Sequence, residues 1–545
     1  VNGDGDFTFT RASAATRVGA DGFIEKETSN LLLQSNQFDT TWTDFGNPTL
    51  TSGQSGYDGT NDAWLFQNNG SDYIRQDASS GLATFSIYAK ANTGDFIYLF
   101  ADGVGGRYFN LNSGTLGTEV LTNLIESKIE SVGNGWYRCI IVVPSFTRIR
   151  MYASLIDGDI SSVANIYIQD AQLNQGLVAQ PYQETTTTAV YGGITDNTPR
   201  LDYTDSSCPA LLLEPLRTNL ITQSEYYGVY APTRVTLTSN YGISPEGVQN
   251  AAAIFNTTEN GRHNLNGAYF AVTSGTSYVN SVFAKAGTIT KMQLRLYSGG
   301  GISIGFNDGV FDLINGTATG TGAGIESYGN GWYRCYVVDS PTSSVSNARF
   351  NLELLDANGG ISYVGSVTDY IEIYGSDISA GSYATSYIPT YGTSVTRIAE
   401  DVELPSLNSV FDSSGDYTIL FEVERLSDVN ESQFIYLRSS IFNYITLSAT
   451  TLGRCEIVLY DAPTGASAVT PNNSFIPNSS IKIAIRISGN TCSAFLNGSE
   501  LTLNNTSVTP RNFDRYQKNQ NHKKHQEVYF PTALSDAELT TLTTI

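Results

Sequence analysis

The sequence predicts an all-β protein in which one antiparallel sandwich occurs twice and a different sandwich follows. Three observations carry that reading. Gly133-Asn134-Gly135-Trp136-Tyr137-Arg138-Cys139 returns intact as Gly329-Asn330-Gly331-Trp332-Tyr333-Arg334-Cys335, and neighbouring landmarks keep their order around both copies. Apolar residues alternate with small or polar ones over short runs, the period of a half-buried strand. The chain of 545 residues also holds 51 glycines, a composition suited to short strands joined by tight turns.

Taken in order, residues 1–28 read as an N-terminal arm for attachment or assembly. Its start, Asn2-Gly3-Asp4-Gly5-Asp6, spaces oxygens somewhat like a calcium loop but lacks the distal Glu, so no metal or other cofactor is expected. The first copy spans 29–185: it opens on Ser29-Asn30-Leu31-Leu32, continues through Phe85-Ser86-Ile87-Tyr88-Ala89-Lys90-Ala91 and closes on Ile166-Tyr167-Ile168. A linker covers 186–218. The second copy spans 219–398 and repeats these landmarks as Asn219-Leu220-Ile221, Val282-Phe283-Ala284-Lys285-Ala286 and Ile371-Glu372-Ile373. Both are expected to be antiparallel jelly rolls. Cys139 and Cys335 hold equivalent strand positions and read as small buried hydrophobes; the five cysteines are too scattered for a disulfide framework or a zinc site.

Residues 399–545 differ in kind. Tyr417, Ile419, Phe421 and Val423 alternate along one strand, and Ile481, Ile483, Ile485 and Ile487 along another. Asn497-Gly498 accepts the positive φ angles of a type I′ hairpin. Ser535 can cap a short terminal helix, with Glu538 closing a capping box and Leu534 stapled onto Leu539. A strand-rich stretch with this hairpin and the ending Ala533-Leu534-Ser535-Asp536-Ala537-Glu538-Leu539 resembles the laminin-G-like, concanavalin-A-like sandwich domains.

A net charge of −22 with 15% charged residues discourages binding to a phosphate backbone, so nucleic acid is not an expected partner. The sequence contains no run of about eighteen apolar residues, so no membrane insertion is expected. The start lacks the basic-then-apolar form of a secretory signal. The basic cluster Arg511, Arg515, Lys518, Lys523 and Lys524 reads as a solvated loop, or as a contact for an acidic subunit or anionic glycan.

Catalysis finds few supports. Of the three histidines, His522 and His525 sit in the basic stretch, leaving His263 alone in the repeats, so a Ser-His-Asp triad is poorly founded. Neither a phosphate loop nor a His-Glu-x-x-His metal helix is present. A carboxylate pair acting on a sugar is the remaining enzymatic alternative among 52 acidic residues. The chain is expected not to be an enzyme.

Binding candidates are aromatic. Trp42 and Trp64 lie near Asn61 and Asp62 in the first copy, where an indole beside amide and carboxylate groups can stack on a sugar while bonding its hydroxyls. Tyr226 and Tyr227 take those neighbourhoods in the second copy. Core packing is the alternative for each indole. Trp136 and Trp332, repeated at one strand position, read as structural.

Three connectors carry a further likeness. Asp6-Phe7-Thr8-Phe9-Thr10-Arg11-Ala12-Ser13-Ala14-Ala15-Thr16-Arg17-Val18 looks like the opening of structural proteins of tailed bacteriophages. Pro199-Arg200-Leu201-Asp202-Tyr203 with Leu211-Leu212-Leu213-Glu214-Pro215-Leu216-Arg217 resembles the link before their sugar-binding-like jelly rolls, and Ala384–Thr390 with Thr393–Arg397 resembles the exit. The resemblance implies an extracellular protein of the virion surface: a fibre, spike or capsid decoration. Its implied partners are other virion proteins, further copies of itself with a trimer favoured, and host surface glycans. A secreted or surface bacterial carbohydrate-binding adhesin and a polysaccharide depolymerase are the alternatives.

Overall fold

In the computed structural model, residues 8–204, 207–299, 305–404, 413–426, 431–513, 515–518 and 522–545 are described. The chain is all-β: two tandem antiparallel jelly rolls followed by a third antiparallel sandwich of two seven-stranded sheets. The Asn2–Asp6 segment lies outside the described residues.

The two copies share one topology strand for strand. One six-stranded sheet of the first runs Glu126–Gly133, Trp136–Val143, Ala83–Ala91, Ala164–Gln175, Ala63–Asn68, Thr49–Gln54. Its counterpart runs Ala323–Ser327, Trp332–Asp339, Tyr278–Ala286, Tyr370–Ala380, Gln249–Asn256, Val235–Ile243. The facing sheets are Thr115–Val120, Gly105–Asn110, Phe96–Ala101, Phe146–Ser154, Tyr73–Ser80, Thr43–Phe45 and, in the same order, Thr317–Thr319, Asp308–Asp312, Lys291–Ser298, Val345–Leu354, His263–Val272, Ala231–Thr233. Inward positions of each pair of sheets interdigitate in a separate apolar core.

The repeated heptapeptide is explained by its two faces. Asn134 and Asn330 take φ 53° and 51°, followed by Gly135 and Gly331 at 78° and 80°, so each copy turns a hairpin there. Past the turn, Cys139 and Cys335 enter the cores, and burial pushes both thiols up. On the other face Arg138 reaches Ser86 Oγ and donates to the Gln180 carbonyl at 2.6 Å, while Arg334 reaches Ser281 Oγ and the Thr385 carbonyl. Each arginine thus ties its exit segment down over the sheet.

The described residues of the segments read from sequence as arm and linker, 8–28, 186–204 and 207–218, pair with the rest of the chain. Thr8–Thr10 pairs with Asp401–Leu404 at the edge of one seven-stranded sheet of the third sandwich, and Ala210–Leu213 pairs with His522–Phe530 in the other. Their charges meet in a fully buried hub. Arg11 contacts Glu400 at 3.2 Å, Arg200 contacts Glu400 at 2.6 Å and Glu214 at 2.8 Å, and Arg397 contacts Glu214 at 2.7 Å. Burial opposes ionisation of Glu214, but Arg397 and Arg200 outweigh it and hold the carboxyl well below its usual range. In the third sandwich Asn497 and Gly498 take φ 47° and 83°, and Ser535 caps the helix Asp536–Thr543 in a complete capping box with Glu538.

Candidate functional site

The outer face of the second module's sheet is built by simple alternation. Along Lys291–Ser298, Met292, Leu294 and Leu296 point into the core, so Gln293, Arg295 and Tyr297 point out. Along Val345–Leu354, Ala348, Phe350, Leu352 and Leu354 point into the core, leaving Arg349, Asn351 and Glu353 on the opposite face.

Strand register sets these side chains in rows. Asn264, Glu353, Gln293 and Val310 form one; Asn266, Asn351, Arg295 and Asp308 the next; Tyr269, Arg349 and Tyr297 the third. Arg262 grips the wholly buried Glu353 with two hydrogen bonds, Nε to Oε1 at 2.5 Å, and Arg295 lies 3.9 Å from its other oxygen. Arg295 Nε donates to Asn351 Oδ1 at 2.9 Å, Asn351 Nδ2 to Asn266 Oδ1 at 2.9 Å, and Asn266 Nδ2 to Asn264 Oδ1 at 2.7 Å. The chain of bonds holds three amides in fixed orientation. Arg349 sits 5.3 Å from the Tyr269 ring centroid and 5.4 Å from that of Tyr297, and Tyr269 is 58% exposed. Gln293 Oε1 is buried without a partner. Asn351, Asn266 and Gln293 are 3%, 7% and 8% exposed, so the face presents guanidinium groups and an open aromatic ring over a buried, oriented amide network.

The residues expected from sequence are not brought together. Trp42 and Trp64 are each 4% exposed, flank Phe38 in the first core, and donate their indole N–H to the carbonyls of Gln34 and Asn36 at 3.1 and 3.0 Å. Their ring faces are spent on packing, which corrects the expectation that they stack on a sugar. Asn61 and Asp62 are exposed on the loop before Ala63–Asn68, where Asp62 Oδ1 accepts a bond from Gln169 at 2.8 Å. Tyr227 is buried with its hydroxyl on Ser376 Oγ at 2.9 Å, and Tyr226 packs on Leu82, Val142 and Leu177 of the first module. The core thereby removes Tyr227 as a sugar contact, while Tyr226 is half-buried at the junction with the first module.

Other candidates are also accounted for. His263 is wholly buried, its ring nitrogens 2.7 and 3.2 Å from the carbonyls of Arg234 and Tyr363. In the basic cluster Lys523 contacts Asp202 at 3.2 Å and Arg511 contacts Asp416 at 3.3 Å. A cleft of about 780 Å³ opens where the sandwiches meet, with Glu214 and Lys523 of these ion pairs in its wall. Among the described residues no group of three or more His, Cys, Asp or Glu could hold a metal ion, and no helix is long and apolar enough to cross a membrane.

No protein-family model and no curated sequence matches the chain. Among solved structures it is similar to the CBM40 of Ruminococcus gnavus IT-sialidase bound to α2,3 sialyllactose, at 12% identity over 24% of this chain and 84% of that one, with a TM-score of 0.21. The CBM22-1–CBM22-2 tandem of Paenibacillus barcinonensis Xyn10C matches at 12% identity over 65% and 98% of the two chains, with a TM-score of 0.20. The LG1-3 region of the laminin α2 chain matches at 11% identity over 85% and 97%, also at 0.20. These values transfer no ligand and no activity.

Proposed function

We propose that this chain is a non-enzymatic glycan-binding protein of a tailed-bacteriophage virion surface, a fibre, spike or capsid decoration, whose second jelly roll meets the sugar. The observation that carries the binding role is the outer sheet face, with its rows of oriented amides, arginines and the open Tyr269 ring. A sugar needs a flat apolar surface for its ring and fixed donors and acceptors for its hydroxyls. The open Tyr269 ring supplies the surface and the arginines of this face the donors, with the buried Asn351 and Asn266 amides fixing Arg295 in place.

The virion setting draws support from the connectors that resemble phage structural proteins. Arg11, Arg200, Glu214 and Arg397 of those connectors form the buried hub with Glu400, and a hub of this kind suits a protein that must hold its modules rigid while projecting them. Association of three copies about a long axis accompanies this reading. The glycan face by itself fits a secreted or surface bacterial adhesin equally well.

Two measurements test the proposal. Titration of the full chain against defined oligosaccharides should give saturable binding that Tyr269→Ala and Asn351→Ala each reduce roughly tenfold or more. Retention of no glycan would end the binding role. Mass spectrometry and antibody labelling of purified phage particles should find the chain on their surface; its presence only on bacterial cells would support the adhesin instead.

A further inference from the structure

The three arginines of the outer face are not alike. Arg262 and Arg295 are committed to Glu353, with Asp308 a further 4.0 Å neighbour of Arg295. Arg349 has no ion pair or hydrogen bond among the described residues; it is held by two tyrosine rings and by strand pairing to Tyr269 and Tyr297. Its Nε is buried without a partner, so only the terminal nitrogens can meet a ligand. Ring contacts leave the in-plane edge of a guanidinium unsatisfied, and that edge matches the two oxygens of a carboxylate.

The wider field runs the other way. At −22 the chain repels polyanions at long range, and this repulsion is screened beyond about 8 Å at physiological salt. An uncommitted cation kept at such a face therefore favours a ligand whose negative charge is local and directional. It disfavours a uniformly charged polymer.

We propose that the second module's outer face recognises an acidic sugar, a glycan residue bearing a ring or anomeric carboxylate, whose carboxylate docks on the terminal nitrogens of Arg349 while its ring lies on Tyr269. Asn351 and Asn266 in the neighbouring row are buried and bonded to each other and to Arg295, so they stiffen the sheet beside Arg349 and do not contact the sugar themselves. The inference rests on the reading of this face as a glycan site. Hexuronic and nonulosonic acids share the required chemistry, and the experiment separates them.

The test is calorimetric titration of the full chain with a hexuronate oligosaccharide, a sialylated oligosaccharide, the methyl ester of each, and a neutral oligosaccharide of equal length. The acid of one class should bind roughly tenfold or more tighter than its own ester, since a hydrogen bond to a charged group is lost on esterification. Arg349→Gln should bring acid and ester within about twofold, and Arg349→Lys, which keeps the charge but not the fork, should recover only part of the preference. Thermal unfolding like that of the parent confirms that either variant is folded. Equal binding of acid, ester and neutral sugar by the parent overturns the acidic-sugar inference and leaves the glycan role standing. Binding of none of them overturns both, and a preference that survives in Arg349→Gln overturns the role of Arg349.

Discussion

The same sheet face in the two jelly rolls shows what a duplicated scaffold leaves free to change. Where the second module sets Asn264, Glu353, Gln293 and Val310 in a row, the first sets Tyr73, Tyr152, Tyr98 and Tyr108. Tyr98 and Tyr108 stack at 4.2 Å, Tyr73 and Tyr152 lie 4.7 Å apart, and all four are between 2% and 6% exposed. The first module has closed its face into a second apolar layer, with Arg150 over Tyr73 and Phe100. The second sets amide and carboxylate groups there instead, with Glu353 wholly buried, Gln293 8% exposed and Asn264 half-buried, so the modules differ at these positions in polarity and not in exposure. Inward residues, which must fill one shared core shape, stayed apolar in both; outward residues carry no such constraint.

A second corner diverges in the same way. Where the long strand of each module bulges, Asp170 takes φ 55° and its counterpart Gly375 takes 57°. Asp170 accepts a bond from Tyr57 Oη at 2.9 Å, and burial pushes its carboxyl up to about 7. In the second module Lys26 enters this corner from the N-terminal segment, 2.9 Å from Glu225 and 2.6 Å from Glu246. Desolvation opposes its charge, yet the two glutamates outweigh it and hold the ammonium well above its ordinary range.

The comparison can be broken in several places. Lys26→Met leaves two carboxylates in the second module without their cation, and the loss should be about 3–5 kcal/mol by denaturant unfolding; a loss under about 1 kcal/mol would mean the lysine is dispensable. Tyr98→Ala opens a hole in the closed aromatic layer and should cost about 3 kcal/mol or more, read as a lowered unfolding temperature. Asp170→Gly, which copies the second module, should stabilise by about 1 kcal/mol through relief of left-handed strain and of a buried carboxyl. Because the folded Asp170 carboxyl lies above its unfolded value of about 3.9, the folded state holds the extra proton between that pH and about 7. Its contribution to stability therefore declines as pH rises through this window, and Asp170→Asn should flatten the slope in pH-dependent melting. Gln293→Ala, which removes a buried carbonyl oxygen that has no partner, should change stability by less than about 1 kcal/mol, an order that sharpens the contrast with Tyr98.

Much of the architecture was legible because it is local. The repeated heptapeptide announced the duplication, the isoleucines of Ile481–Ile487 marked a strand, and Asn497-Gly498 and Ser535–Glu538 carried turn and cap chemistry that depends on near neighbours alone. The outward list Gln293, Arg295, Tyr297 was likewise readable from alternation with Met292, Leu294 and Leu296. Trp42 and Trp64 misled because a tryptophan beside polar residues has the same sequence signature in a core as at a surface, and Phe38, which settles it, contacts them only in the fold.

The sequence by itself determined strands, turns, the duplication and the class of each sandwich, since those follow from residue periods and backbone preferences over a few positions. Tertiary structure alone decided which strands are neighbours, and so which side chains share a row. It also decided that Arg11, Arg200, Glu214, Arg397 and Glu400, nearly four hundred residues apart at the extremes, would bury their charges together. Charges so distant in sequence are brought within ion-pair reach only by long-range strand pairing, which no local pattern encodes.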